Sequence, residues 1–188
     1  NADGEVYKRD PGRRYRAVCA RLEGTRGHPA SQELFRLRGG DLPRTKPTVL
    51  AKDIGPGLVK ETDKYRITAA PADHVQPFLD SLAYRIDTDD GSLVITGDTK
   101  PCDSVVDLAR GADVMMVMCW DSHDAMKDRP VTSCSILTAG ELAAEAGVKQ
   151  LTMVHIGPRL LDPELADAND AEARKSWGGD LVWGREGM

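Results

Sequence analysis

A chain of 188 residues is long enough to bury one core, so one domain is the default. With 40% hydrophobic residues and a formal net charge of −5 it reads as an ordinary soluble globular protein. No apolar run approaches the roughly 20 residues that cross a bilayer, and the acidic balance weighs against nucleic acid as the main partner.

The charge is uneven. Residues 1–46 carry eleven Lys/Arg against six Asp/Glu, a net of +5, and the remainder carries −10. Such opposed segments suggest a basic arm lying against acidic protein, its own or a partner's, or simply a solvated basic loop. No apolar leader follows Asn1, so no signal peptide is expected. The four cysteines, Cys19, Cys102, Cys119 and Cys134, form no C-x-x-C pair, which argues against a structural zinc knot. Apolar neighbours such as Met118 and Ala20 suggest buried free thiols and a cytoplasmic, reducing setting.

The first forty-odd residues are punctuated by Gly and Pro, with a short helix expected from Ser31 to Leu37, capped by Ser31. From Thr48 the texture changes. Thr48 to Ala51 reads as a strand, Asp53 to Gly57 as a turn, and Tyr65 to Ala69 as a second strand. Ser81 to Asp87 and Ser92 to Thr96 flank Asp89-Asp90-Gly91, a strong hairpin signal because Asp-Gly tolerates positive φ. Strands and helices then alternate. Helices are expected at Asp103–Arg110, Thr138–Gly147 and Glu164–Ser176, and strands at Asp113–Met118, Gln150–Val154 and Leu181–Trp183. The all-apolar Asp113–Met118 strand should be buried on both faces. Hairpins followed by strand–helix alternation predict a layered α/β sandwich. No G-x-G-x-x-G or P-loop suggests a nucleotide site.

Two apolar runs end in a metal-capable side chain where a strand should give way to a loop: Asp98 in Ile95-Thr96-Gly97-Asp98-Thr99, and His155 in Val154-His155-Ile156-Gly157-Pro158. A third candidate is His74 in Pro71-Ala72-Asp73-His74-Val75. Each has a plain structural account. Asp98 can be a turn residue accepting backbone N–H bonds, His155 a hydrogen-bonded structural imidazole, and His74 the ion-pair partner of Asp73. As a set, an Asp able to bridge two cations and two neutral imidazoles are parts of a hydrolytic metal site.

Their order resembles the C-terminal half of the metallo-β-lactamase superfamily, in the branch that includes ribonuclease Z and related lactonases. The resemblance runs from about Thr48 to Met188. It is carried by Ala72-Asp73-His74, Ala83-Tyr84-Arg85, Thr96-Gly97-Asp98-Thr99 with Pro101-Cys102, and Glu141-Leu142-Ala143 through Lys149 into Val154-His155. It implies a four-layer αββα fold, of which this chain would be the C-terminal half, a mixed sheet with flanking helices over residues 47–188, with residues 1–46 as a basic irregular arm or insertion. It also implies that His74 binds one metal ion, that Asp98 bridges two as the catalytic carboxylate, and that His155 binds the other. Zinc is the expected metal, with manganese or iron as alternatives, and the implied reaction is hydrolysis by a metal-bound hydroxide.

Two departures stand out. The family's H-x-H-x-D-H cluster has no counterpart, so each ion would have at most two ligands from this chain. The further ligands would come from a missing N-terminal segment or a neighbouring subunit of a homodimer. Ser133 stands where ribonuclease Z carries a helper His, and Cys119-Trp120 replaces a His-Glu pair. These changes favour a small, partly apolar or aromatic substrate (a lactone or ester, a phosphoester or an activated aryl halide), with neither nucleic acid nor membrane as partner. Asp73, Trp120, His123 and Ser133 are weaker candidates for contacts with substrate or support of the ligands. Ser133 and Cys134 have no base assigned beside them and are not read as nucleophiles. The competing reading is a non-catalytic binding or scaffold module that keeps the fold without a complete metal site.

Overall fold

Seven strands form one mixed sheet in which spatial order follows chain order. The structure, a computed structural model, describes residues 29–42, 53–75, 78–128 and 131–185; the strand expected from Thr48 to Ala51 lies outside them. The chain divides into two units, Asn1–Ile54 and Gly55–Met188, whereas the sequence texture changes near residue 46.

Within the first unit, helix α1 spans Pro29–Leu37. It starts two residues before the expected Ser31, which therefore lies inside the helix rather than capping it. Proline at a first helical position suits both its fixed φ and its missing N–H. Glu33 and Arg36 pair along the exposed face, and Gly39, at φ +83°, follows the helix end.

In the second unit, β1 (Gly57–Glu61), β2 (Tyr65–Ala72), β3 (Ser81–Thr88) and β4 (Gly91–Ile95) pair antiparallel. Strand β1 corrects the turn expected to end at Gly57. It is a short, mostly exposed edge strand without apolar alternation, so its pairing with β2, not burial, makes it a strand. In the β3–β4 hairpin Thr88 pairs with Gly91, so the turn is Asp89-Asp90 and the unusual backbone, φ +152°, falls on Gly91.

From β4 onward the sheet is parallel: β5 is Val114–Met118, β6 Gln150–Val154 and β7 Asp180–Trp183. Parallel neighbours need crossovers. Helix α2 (Asp103–Ala109) joins β4 to β5; α3 (His123–Met126) and α4 (Ile136–Ala146) lie between β5 and β6; α5 (Ala166–Ala173) lies between β6 and β7. Helix α4 begins two residues before the expected Thr138, because Ser135 forms a capping box. Its hydroxyl accepts from Thr138 N, and Thr138 Oγ1 accepts from Ser135 N. Gly147, at φ +64°, stops α4 as expected. The helix expected from Glu164 is shorter. Pro163–Leu165 forms a 3₁₀ turn in which the Asp162 carboxylate accepts from Glu164 N, and α5 follows it.

One face of the sheet forms the core. Val94, Met115 and Leu151 are cross-strand neighbours and fully buried, as are Val117 and Met153. They belong to one buried cluster with Val105, Val106 and Ala109 of α2 and Ile136, Ala139, Leu142 and Ala143 of α4. The expectation that β5 is buried on both faces needs correction: Val114 and Met116, on the other face, are only half-buried.

Strand direction places the site. Two antiparallel steps, β2 to β3 and β3 to β4, restore direction, so β2 runs parallel to β4, β5 and β6. The segments leaving β2, β4, β5 and β6 therefore emerge at one edge. Those segments carry His74, Asp98, Trp120 and His155. Crevices at the carboxyl ends of parallel strands are where open α/β sheets bind ligands.

Candidate metal centre

His74, Asp98 and His155 line one cleft of about 300 Å³, together with Met118, Trp120, Met126, Thr132 and Ser133. His155 Nε2 lies 3.6 Å from Asp98 Oδ1, and both side chains are about half exposed. That separation is beyond hydrogen-bond range. It is close to the roughly 3.4 Å that separates two ligands of one tetrahedral ion with bonds near 2.1 Å. Imidazole and carboxylate are also the donor types that a borderline divalent ion such as zinc takes. In type and spacing this pair fits an ion. Among the described residues, however, no group of three His, Cys, Asp or Glu side chains gathers to hold one.

The His74 ring is oriented by backbone. Its Nδ1 lies 2.6 Å from the carbonyl oxygen of Thr132. A carbonyl can only accept, so Nδ1 carries the hydrogen and, in the neutral ring, Nε2 carries the lone pair. A ligating imidazole is commonly set by such a bond from its other nitrogen. Sequence reasoning missed this partner because a main-chain carbonyl leaves no mark in the residue pattern. The role suggested for Asp73 also changes. Its carboxylate pairs with Lys100 Nζ at 3.0 Å, and Asp73 acts on its neighbour through the main chain. It forms an isolated bridge with Lys100, whose N–H donates to Asp73 O at 2.7 Å. Asp73 N donates to Oγ1 of the fully buried Thr99 at 3.2 Å. These bonds tie the His74 segment to the Asp98 segment.

His155 is the one non-glycine residue with positive φ, +48°, among the described residues. This conformation costs of order 1–3 kcal/mol and persists where surroundings over-determine it. The surroundings here are backbone bonds. Cys119 N donates to Val154 O at 2.9 Å, and Gly157 N donates to Cys119 O at 3.2 Å. A Cβ added at Gly157 would fall on the Trp120 carbonyl oxygen, so only glycine fits this approach. Arg159 Nε, 3.7 Å from the nearly buried Asp121 carboxylate, joins the same two loops.

Trp120 lines the cleft with 39% of its surface exposed and its ring centroid 5.7 Å from that of His155. Ser133 lines the cleft too. His123 is not among the cleft residues. Its Nδ1 lies 3.3 Å from Ser135 Oγ and its N–H donates to Glu172 at 2.6 Å, which binds it to the start of α4 and to α5. Cys119 and Cys134 are buried free thiols and Cys102 is a half-buried one. Burial pushes the Cys134 thiol up to about 12 and that of Cys119 further still, and neither is among the residues that line the cleft. Among the described residues no helix is long and apolar enough to cross a membrane.

The family model described as the beta-lactamase superfamily domain matches residues 23–156. The chain belongs to the beta-lactamase superfamily. Ribonuclease Z of Mycobacterium tuberculosis is 32% identical over 123 residues, covering 62% of this chain and 45% of its own length. Among solved structures, the metallo-beta-lactamase fold protein YhfI of Bacillus subtilis matches with a TM-score of 0.64 at 22% identity, over 86% of this chain and 60% of that one. The short form of human tRNase Z matches with a TM-score of 0.52 at 16% identity, over 70% of this chain and 43% of that one. These two likenesses establish the fold: a mixed sheet with flanking helices, of the metallo-β-lactamase type. The superfamily chain described here spans about half the length of the relatives it matches.

The relatives correct one expectation. The small-molecule substrate and the exclusion of nucleic acid are overturned by relatives named as ribonuclease Z. The expectation rested on Ser133 and Cys119-Trp120 standing in place of family residues and on reading a net charge of −5 as a statement about one site; neither fixes the substrate class. Net charge describes the averaged surface, whereas binding follows the local field, which bound cations dominate where present.

Proposed function

We propose that this chain contributes the C-terminal portion of a metal-dependent hydrolase that cleaves phosphodiester bonds in RNA. The observation that carries the reading is the Asp98–His155 pair, 3.6 Å apart beyond the ends of β4 and β6, which flank β5, in a cleft that His74 also lines. The relatives named ribonuclease Z supply the substrate class.

Asp98 and His155 are assigned as ligands of one divalent ion, zinc by donor type, with Asp98 as the catalytic carboxylate. Having two oxygens, Asp98 can serve a second ion, for which His74 is the further ligand. A divalent ion in such a site supplies a water acidified toward neutral pH and a counter-charge for the phosphate. The chain's own residues orient the donors. Thr132 O sets the His74 tautomer, and the Cys119–Val154 and Gly157–Cys119 bonds hold His155 in its strained turn. Catalytic zinc normally has three protein ligands. The remaining donors are therefore assigned to polypeptide outside this chain, in keeping with its span of about half the relatives' length.

One observation favours a second reading. The lack of a three-donor cluster among the described residues suits a binding module that keeps the fold without a working site. Metal quantification on the complete enzyme, with the polypeptide that supplies the remaining donors, and on its Asp98→Ala variant, with hydrolysis of bis(p-nitrophenyl) phosphate and of single-stranded RNA, separates the two. The hydrolase reading expects zinc uptake and turnover that Asp98→Ala lowers at least tenfold while the circular dichroism spectrum is unchanged. Equal metal content and equal turnover in the variant would exclude the assignment.

A further inference from the structure

Trp120 is held more firmly than a residue leaving a strand needs to be, yet its ring is left open to the cleft. Its N–H donates to Cys134 O at 3.0 Å. Its carbonyl packs on Gly157 so closely that no Cβ fits there. The neighbouring Cys119 is bonded on both sides, to Val154 O and from Gly157 N. The loops after β5 and β6 thus clamp this main chain together. Elsewhere the same fold buries tryptophan: Trp177 is 5% exposed and its Nε1 donates to Asp180 O. Trp120 keeps 39% exposure, and no described contact but the His155 ring engages its aromatic system. A half-exposed indole on a fixed backbone is a preorganised contact surface, since little freedom remains to be lost when something lies on it.

What can lie there follows from the neighbours. The ring stands next to His155, tilted 42° from it, so a group on Trp120 adjoins the group held at the Asp98–His155 pair. Met118 and Met126 line the same cleft. Thioethers are polarizable, adaptable partners for aromatic rings. Indole, two methionines and a cleft of about 300 Å³ suit a flat aromatic group attached to an anionic one.

We propose that Trp120 is a stacking platform for the nucleobase next to the scissile phosphate. This rests on the RNA reading above and assigns Trp120 a role in substrate specificity. Stacking of a base on an aromatic side chain tolerates any base and is worth about tenfold or more in affinity. The platform therefore predicts a preference for nucleotides over bare sugar-phosphate, without strong choice among bases.

The test is calorimetric titration of the full chain with a single-stranded RNA tetramer and with an abasic tetramer of the same ribose-phosphate backbone. The wild type should bind the base-bearing probe about tenfold or more tighter than the abasic one. Trp120→Phe should keep most of that ratio and Trp120→Ala should bring it to about one, both with unchanged circular dichroism. If both probes bind the wild type equally, or if Trp120→Ala keeps the preference, the platform is overturned while the RNA reading stands. If neither probe binds the wild type, the RNA reading falls and takes the platform with it. Trp120→Phe also guards against a folding artefact, because loss of the ratio there with the fold intact counts against stacking.

Discussion

His155 Nε2 sits 3.6 Å from Asp98 Oδ1, and His155 reaches that place only by adopting φ +48°. The pair combines backbone strain with half-exposed polar side chains, a combination that fold stability alone does not favour. Strain of this kind gathers at functional sites, and it can be measured here.

Replacing His155 by Gly relieves the left-handed backbone, whereas replacing it by Ala removes the ring and keeps the strain. The usual order, in which Ala is more stable than Gly, should reverse, with His155→Gly the more stable by about 1 kcal/mol. Both variants should lose zinc affinity alike. Denaturant melts of the two variants check the order; a more stable Ala variant would show that the turn is not strained.

Gly157 takes an ordinary extended backbone, φ −64° and ψ 155°, so its requirement is space rather than conformation. Gly157→Ala puts a methyl onto the Trp120 carbonyl and forces the two site loops apart. Overpacking of this sort costs about 1–3 kcal/mol or more. The melting temperature should fall, and near-ultraviolet dichroism should report a displaced tryptophan. A melting curve like that of the wild type would mean that the loops separate easily.

Asp113 governs acid stability at the other edge of the sheet. Lys149 Nζ and the hydroxyl and backbone N–H of Ser92 all donate to its carboxylate and hold its pKa well below the usual carboxylate range. A carboxyl whose pKa is lowered by folding stabilises the native state above its unfolded value, about 3.9, and that contribution is lost as pH falls through the folded value. Unfolding free energy should therefore drop below about pH 4, and Asp113→Asn should flatten that part of the profile. Added salt should weaken the effect, because its largest cause, the bond from Lys149, is an exposed ion pair.

Cys134 sets an alkaline limit. Burial raises its thiol to about 12, so the folded chain holds a proton that the unfolded chain releases near 8.5. The contribution is complete below about 8.5 and fades as pH rises toward 12. Melting temperature should decline across that window, less steeply in Cys134→Ala after allowance for its lower baseline. Of the three described cysteines, Cys119 and Cys134 should resist iodoacetamide in the native state while the half-buried Cys102 reacts before them, as mass spectrometry of partly labelled protein would show.

Much of the second unit is legible residue by residue. Strand β6 follows its apolar run, Gly147 ends α4 as glycine in the left-handed region does, and Asp-Asp-Gly marks the β3–β4 hairpin. These are local effects, decided within a few residues. The misses are elements that local pattern underdetermines. Strand β1 exists because β2 offers it an edge, and α4 starts early because Ser135 and Thr138 cap each other.

For the site, the sequence by itself determined the chemistry on offer: one carboxylate and two imidazoles, Asp98 and His155 each after an apolar run. Only the tertiary structure decided that they line one cleft, with Asp98 and His155 side by side. Two antiparallel reversals turn β2 to run with β4, β5 and β6, and one sheet edge then gathers side chains up to 81 positions apart. It alone supplied the Thr132 carbonyl beside His74, the positive φ of His155 and the clamped, open ring of Trp120. Side-chain identity is written in the chain. Direction, register and the placing of main-chain groups belong to the sheet as a whole, so no window of neighbouring residues encodes them.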